Sequence, residues 1–232
     1  MPEQHATQDR RAVVARGVTV RGTHEPFVEG LDVQAPSGAV TLVAVDPGDA
    51  QVAAALVLGG RIEPATGTVT IGGRAGRDVL QSRTRLVDVP DVTAPEEALA
   101  VAHVVAEELA LAEQPSSRRD VARFLAEHDL TDRSRGRWDS LPAGTRTSLL
   151  LELGSRHPNG GVLVLTGPDR HGGDPDPWWR TASALAGRGL TVVVLCTPAT
   201  AAQLAPRLVA PGAHVPPAGS TTTDHELQGV PA

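Results

Sequence analysis

The sequence predicts an α/β fold with an antiparallel β part near its start and a helical subdomain at about residues 92–140. Three observations carry this. Runs 161–166 and 190–196 are continuously apolar and Val-rich, the pattern of strands buried on both faces. Residues 40–73 read as strand, glycine-containing turn, apolar helix and second strand. Between these blocks, 95–156 carries helical rather than alternating periodicity.

The elements follow in order. Strands are expected at 12–21, 31–35, 39–45, 67–72, 85–89, 161–166 and 190–196. Helices are expected at 49–58, 95–112, 117–128, 145–156 and 178–186. Ser116 or Ser117 is a candidate N-cap for the third helix, with Asp120 as a first-turn acid and Val121, Phe124 and Leu125 as its apolar stripe. Residues 1–11 and 211–232 are polar or rich in Pro, Gly, Ser and Thr and read as unstructured ends, leaving 12–210 as one domain. No internal repeat is visible.

Composition narrows the function classes. The chain has 232 residues, 41% of them apolar, enough for a real core built mainly of Ala, Val and Leu. Its net charge of −6 argues against a nucleic-acid partner, which needs a cationic surface to displace counterions. Small basic clusters at Arg118–Arg119 and at Arg133, Arg135 and Arg137 suit a solvated helix start and a loop. Cys196 is the single cysteine, so no intrachain disulfide forms. No run is long enough to span a bilayer and no leader pattern opens the chain, so a cytoplasmic location is expected, with membrane association only through a partner.

In order and spacing, residues 12–209 resemble the nucleotide-binding domain of ATP-binding cassette (ABC) transporters, with the P-loop NTPase-like fold that this implies. Gly38 before a strand resembles that family's early turn. Pro64-Ala65-Thr66-Gly67-Thr68-Val69 resembles the turn after the first helix. Arg85-Leu86-Val87-Asp88-Val89-Pro90 resembles the strand leading into the Q-loop.

The resemblance also places the family's functional positions, and here the sequence departs from it. Counted back without gaps from Gly60, the Walker A loop falls on Val45 to Ala53. Gly48 matches a loop glycine. Gln51 stands where the phosphate-binding lysine is needed and Val52 where the Mg²⁺-binding hydroxyl is needed. The chain has no lysine, and no arginine lies between Gly22 and Gly60. Asp46 and Asp49 put carboxylates beside the phosphate position. A like-charge contact at about 4 Å and an effective dielectric near 20 costs roughly 4 kcal/mol.

The remaining positions fail together. The adenine-stacking aromatic falls near Gly22, with His24 close by in a loop. The Q-loop glutamine falls on Asp91. The signature falls on Leu141-Pro142-Ala143-Gly144-Thr145, keeping Gly144. The acidic pair of Walker B falls on Thr166-Gly167, with Pro168 retained after it, and the switch histidine falls on Thr197. Thr166 is a poor Mg²⁺ ligand and Gly167 cannot polarise water.

Other constellations are weaker. Asp169, His171, Asp174 and Asp176 crowd one loop and raise the reading of a metal-dependent enzyme, though Gly172-Gly173 and Pro175 suit a solvated turn. Gly72-Gly73-Arg74 suits a hairpin turn better than an anion site. Of Trp178-Trp179, one is expected in the core and one at a contact surface. His103, His128 and His157 are scattered, and Cys196 suits a buried strand end.

The expected function is therefore a degenerate ABC-type domain, a pseudoenzyme acting as a non-catalytic structural or regulatory subunit. The resemblance implies a membrane permease or an active ABC ATPase as partner, or a dimer. No cofactor is expected. The alternatives are an ABC transporter ATP-binding subunit that binds Mg-ATP weakly through backbone donors at Gly48, and the metal-dependent enzyme.

Overall fold

The computed structural model describes residues 10–158, 160–209 and 213–214. β1 (Val13–Val20) pairs antiparallel with β2 (Val28–Ala35) on one side and β4 (Thr66–Ile71) on the other. A second, parallel sheet runs in the order β5 (Thr84–Val87), β6 (Val162–Thr166), β7 (Thr191–Cys196), β3 (Val40–Ala44) and β8 (Ala213–His214). The expected α/β fold with an antiparallel part is what forms.

The period-2 geometry of the central strands divides the core into two halves. Val162 and Val164 of β6, with Val193 and Leu195 of β7, face α1 (Asp49–Leu58) and the antiparallel sheet. Leu163 and Leu165, with Val192 and Val194, face α5 (Ala143–Ser155) and α6 (Asp176–Gly187). Continuous apolar runs are needed because both faces are covered. Each leucine buried this fully contributes about 1.5–3 kcal/mol. α1 is sandwiched between the sheets, and its run of Ala53, Ala54 and Ala55, all buried, keeps that sandwich thin.

α3 (Val101–Leu111), α4 (Arg118–Glu127) and buried Trp138 pack against the α5 side. α4 begins as the sequence predicts. Ser117 accepts from the Asp120 backbone N–H, and the Asp120 carboxylate accepts from the Ser117 backbone N–H, a reciprocal capping box. Ser117→Ala should lower the melting temperature by about 2–4 °C, read by circular dichroism.

Some boundaries differ from expectation. α3 starts at Val101, not at 95, because the backbone before it is used otherwise. Glu97 and Leu99 carbonyls accept from Asp139 and Trp138, and Ala100 bridges Arg137. β2 starts earlier than residue 31, through an irregular register around Gly30. α2 (Arg77–Arg83) and α7 (Pro198–Leu204) are short helices that hydrophobic period does not mark. Leu80 is the one buried residue of α2, and Thr197 caps α7 by accepting from the Thr200 N–H.

The expected unstructured ends lie largely outside the described residues. Within them, Ala213–His214 pairs with Val40 and Thr41, and the Arg11 carbonyl accepts from Thr191 Oγ1 at 2.7 Å. Among the described residues, no helix is long and apolar enough to cross a membrane.

Candidate functional site

The C-terminal ends of β3, β6 and β7 converge beside the start of α1, the place where open α/β sheets hold ligands. The 45–52 loop lies here. Gly48 (φ 89°) opens α1 with no side-chain cap, so the first-turn N–H groups have no side-chain acceptor. Asp46 and Asp49 are exposed. Water screens them, so their repulsion falls toward the bulk-water figure of about 1 kcal/mol, smaller than the sequence spacing alone suggests.

Gln51 does not face solvent. It is 5% exposed, and its Nε2 donates to the Val45 carbonyl at 3.2 Å, closing the loop on itself. Its Oε1 lies 2.8 Å from where a Cβ on Gly167 would stand. Gln51 and Gly167 therefore fit each other: the glycine makes room for the amide. Val52 is half-buried and packs against the α1 side of the core.

The residue that sequence reading misses is Arg170. Its stem runs 3.8 Å from the same Gly167 Cβ position. Its guanidinium donates to the Thr166 carbonyl at 2.9 Å, the Asp88 carbonyl at 2.8 Å and Asp88 Oδ1 at 2.6 Å. A fixed cation thus reaches the site from the loop after β6, far in sequence from the 45–52 segment. Asp88 is 8% exposed at the side chain. Burial pushes its carboxyl above the usual range, and Arg170 pulls against that shift. Asp88 sits at φ 60°, in the left-handed region that Asp tolerates better than most residues.

A second tie holds the same loop from the other side. Asp169 Oδ2 accepts from the Thr197 N–H at 3.0 Å and from Thr197 Oγ1 at 2.6 Å. Burial raises the Asp169 carboxyl, and the hydrogen bonds from Thr197 and Thr200 more than offset it, leaving it below the ordinary value. Thr166 is buried, and its Oγ1 has no partner.

Arg170 also walls a cavity of about 380 Å³ with Asp88, Asp91, Glu97, Arg146 and His171, over Trp138. Arg146 Nη1 lies 3.7 Å from Glu97, and its buried Nε has no partner. Burial, then Arg170 and Arg146, depress the His171 pKa, which favours the neutral ring. Asp91, expected from the resemblance at the Q-loop glutamine, is exposed at φ 57°. Gly144 is needed for packing: a Cβ there would stand 3.0 Å from the Asp174 carbonyl and 3.1 Å from Pro177.

The metal reading is not supported by the geometry. Asp169 is turned to Thr197, Asp174 accepts from the Asp176 N–H, Asp176 pairs with Arg207, and His171 faces the cavity. Among the described residues, no three His, Cys, Asp or Glu side chains converge as a metal would require. His24 is exposed in its loop and His103 lies on the outer face of α3, while His128 stacks on Phe124 with ring centroids 4.5 Å apart. Trp178 is buried and Trp179 is partly exposed beside it, an edge-on pair at 6.1 Å. Cys196 is fully buried, its thiol pushed up to about 12 by burial and then by the Asp169 charge, which rules it out as a nucleophile at neutral pH.

No family model matches the sequence, and no curated protein matches it. Solved structures do. A nucleotide-free ATP-binding cassette from an ABC transporter is similar at 13% identity, over 82% of this chain and 82% of that one, with a TM-score of 0.60. An ATP-binding subunit of an ABC transporter is similar at 16% identity, over 83% and 82%, with a TM-score of 0.56. A putative ABC transporter ATP-binding protein from Pyrococcus furiosus is similar at 14% identity, over 79% and 90%, with a TM-score of 0.58. At such identities the likeness is one of fold: the chain has the ATP-binding cassette fold, and function has to be argued from the site.

Proposed function

We propose that this protein is a non-catalytic member of the ATP-binding cassette fold, a structural or regulatory subunit that docks to a membrane permease or to an active ATPase subunit. The observation that carries the reading is that the polar groups of the site bind one another. Gln51 is spent on the Val45 carbonyl, Arg170 on Asp88, and Asp169 on Thr197. Phosphoryl transfer needs the opposite arrangement, with a cation, a hydroxyl and carboxylates free to hold phosphate and Mg²⁺. Thr166 and Gly167 offer no carboxylate for either task.

One observation favours a second reading, weak ATP binding. The N–H groups at the uncapped start of α1 remain available to an anion. Thermal unfolding with millimolar Mg-ATP separates the two. The first reading expects no shift. A protein stabilised by ligand at about a hundred times its dissociation constant gains about 2.7 kcal/mol, a rise of several degrees. Such a rise would replace the first reading with the second.

A further inference from the structure

A second cavity, of about 230 Å³, opens at the N-terminal ends of β5 and β6, the opposite edge of the parallel sheet from Gln51 and Arg170. Arg10, Arg11 and Arg83 line it, with Ile71, Gly161 and Val162 beneath them. Among the described residues, no acidic side chain lines it and no carboxylate pairs with Arg10 or Arg83. The chain's net charge is −6, yet among the described residues every charged side chain lining this cavity is an arginine.

The arginines are positioned by the fold. Arg83 ends α2, and its Nη1 donates to the Arg10 carbonyl at 3.1 Å. Arg11 Nη1 donates to the Gly189 carbonyl at 2.8 Å. The Gly72 N–H donates to the Ala12 carbonyl at 2.9 Å, which holds the start of β1 against the end of β4. Two glycines permit this close approach. A Cβ on Gly72 would stand 2.7 Å from the Arg10 carbonyl, and one on Gly161 would stand 3.2 Å from Arg11 Nε. Each guanidinium carries five donors in a planar fork, so Arg83 keeps most of its donors after its backbone bond.

We propose that this cavity binds a phosphate group, as a phosphate or pyrophosphate moiety whose remaining part lies outside. Guanidinium forks match phosphate oxygens in pairs, and several of them around one small cavity neutralise a dianion as a single carboxylate-sized site would not require. The ligand chemistry is shared by soluble phosphate esters and by anionic lipid headgroups. The proposal does not depend on whether ATP binds at the other edge of the sheet.

The test uses the full chain at low salt. Calorimetric titration with inorganic pyrophosphate probes the soluble source. Co-sedimentation with vesicles containing roughly 30% anionic phospholipid, against neutral vesicles, probes the lipid source. The variant is Arg10→Gln with Arg83→Gln, an exposed and a half-buried position, and its unliganded melting temperature reports that it still folds. Arg118→Gln with Arg119→Gln removes equal charge elsewhere. Saturable binding in either arm, weakened about tenfold per arginine in the first variant and little changed in the second, supports the proposal, and the arm that binds names the source. Absence of binding in both arms, or an equal loss in the two variants, overturns it.

Discussion

Arg170→Ala is expected to destabilise the protein by about 3 kcal/mol at neutral pH, a fall in melting temperature of roughly 6–12 °C. The cause is the partner left behind. Asp88 is 8% exposed at the side chain and would keep a buried charge with its hydrogen-bonded cation gone and only Arg146 acting on it through space. Asp88 also gives the effect a pH dependence. Its folded pKa is already raised by burial, with Arg170 holding it down. A carboxyl raised in the folded state contributes stability that is present below its unfolded pKa and lost as pH rises through its folded pKa. Without Arg170 the folded pKa climbs further. The cost of the substitution should therefore be small near about pH 4 and grow toward about pH 7.5, measured by chemical denaturation at each. Adding Asp88→Asn should recover roughly half of the loss at neutral pH, because it removes the stranded charge. A pH-independent loss, or no recovery in the double variant, would count against the ion pair as the tie that closes the site.

The second large effect is expected at Gly67, in the retained turn after α1. Gly67 has φ 84°, and a Cβ there would stand 2.4 Å from the Gly17 carbonyl and 2.5 Å from the Arg16 carbonyl. Both are backbone atoms of β1, which cannot move without opening its pairing with β4. Gly67→Ala should cost about 3 kcal/mol or more. Gly48 is the control. It too has positive φ, at 89°, yet a Cβ there meets nothing within 4 Å. Gly48→Ala should cost only the conformational term, about 1–3 kcal/mol. Equal losses at the two positions would contradict the view that the turn at Gly67 is kept for packing while the Gly48 loop is not.

Much of the fold was legible in the sequence because packing writes itself in local patterns. The Val-rich runs at β6 and β7 are apolar throughout because α1 covers one face and α5 and α6 cover the other. α1 and the Ser117 cap of α4 emerge at their expected positions because an apolar run and a capping box are local signals. The boundaries that shifted depend on distant partners. α3 starts late because the 136–139 segment takes the carbonyls that an earlier start would need. α2 and α7 are too short to show a period.

The site was legible in one respect and hidden in another. Residue identity alone shows that Gln51, Val52, Thr166, Gly167 and Thr197 carry no fixed charge and no carboxylate. Folding cannot add a charge that a side chain lacks. Whether the position stays open is a different matter, and only the tertiary structure decides it. Arg170 is 82 residues from Asp88 and meets it because β5 and β6 are neighbours in the sheet. Asp169 meets Thr197 across 28 residues for the same reason, through β6 and β7. The chemistry of each side chain is written in single letters. The contacts that occupy the site are made between strands and cannot be read from either strand alone.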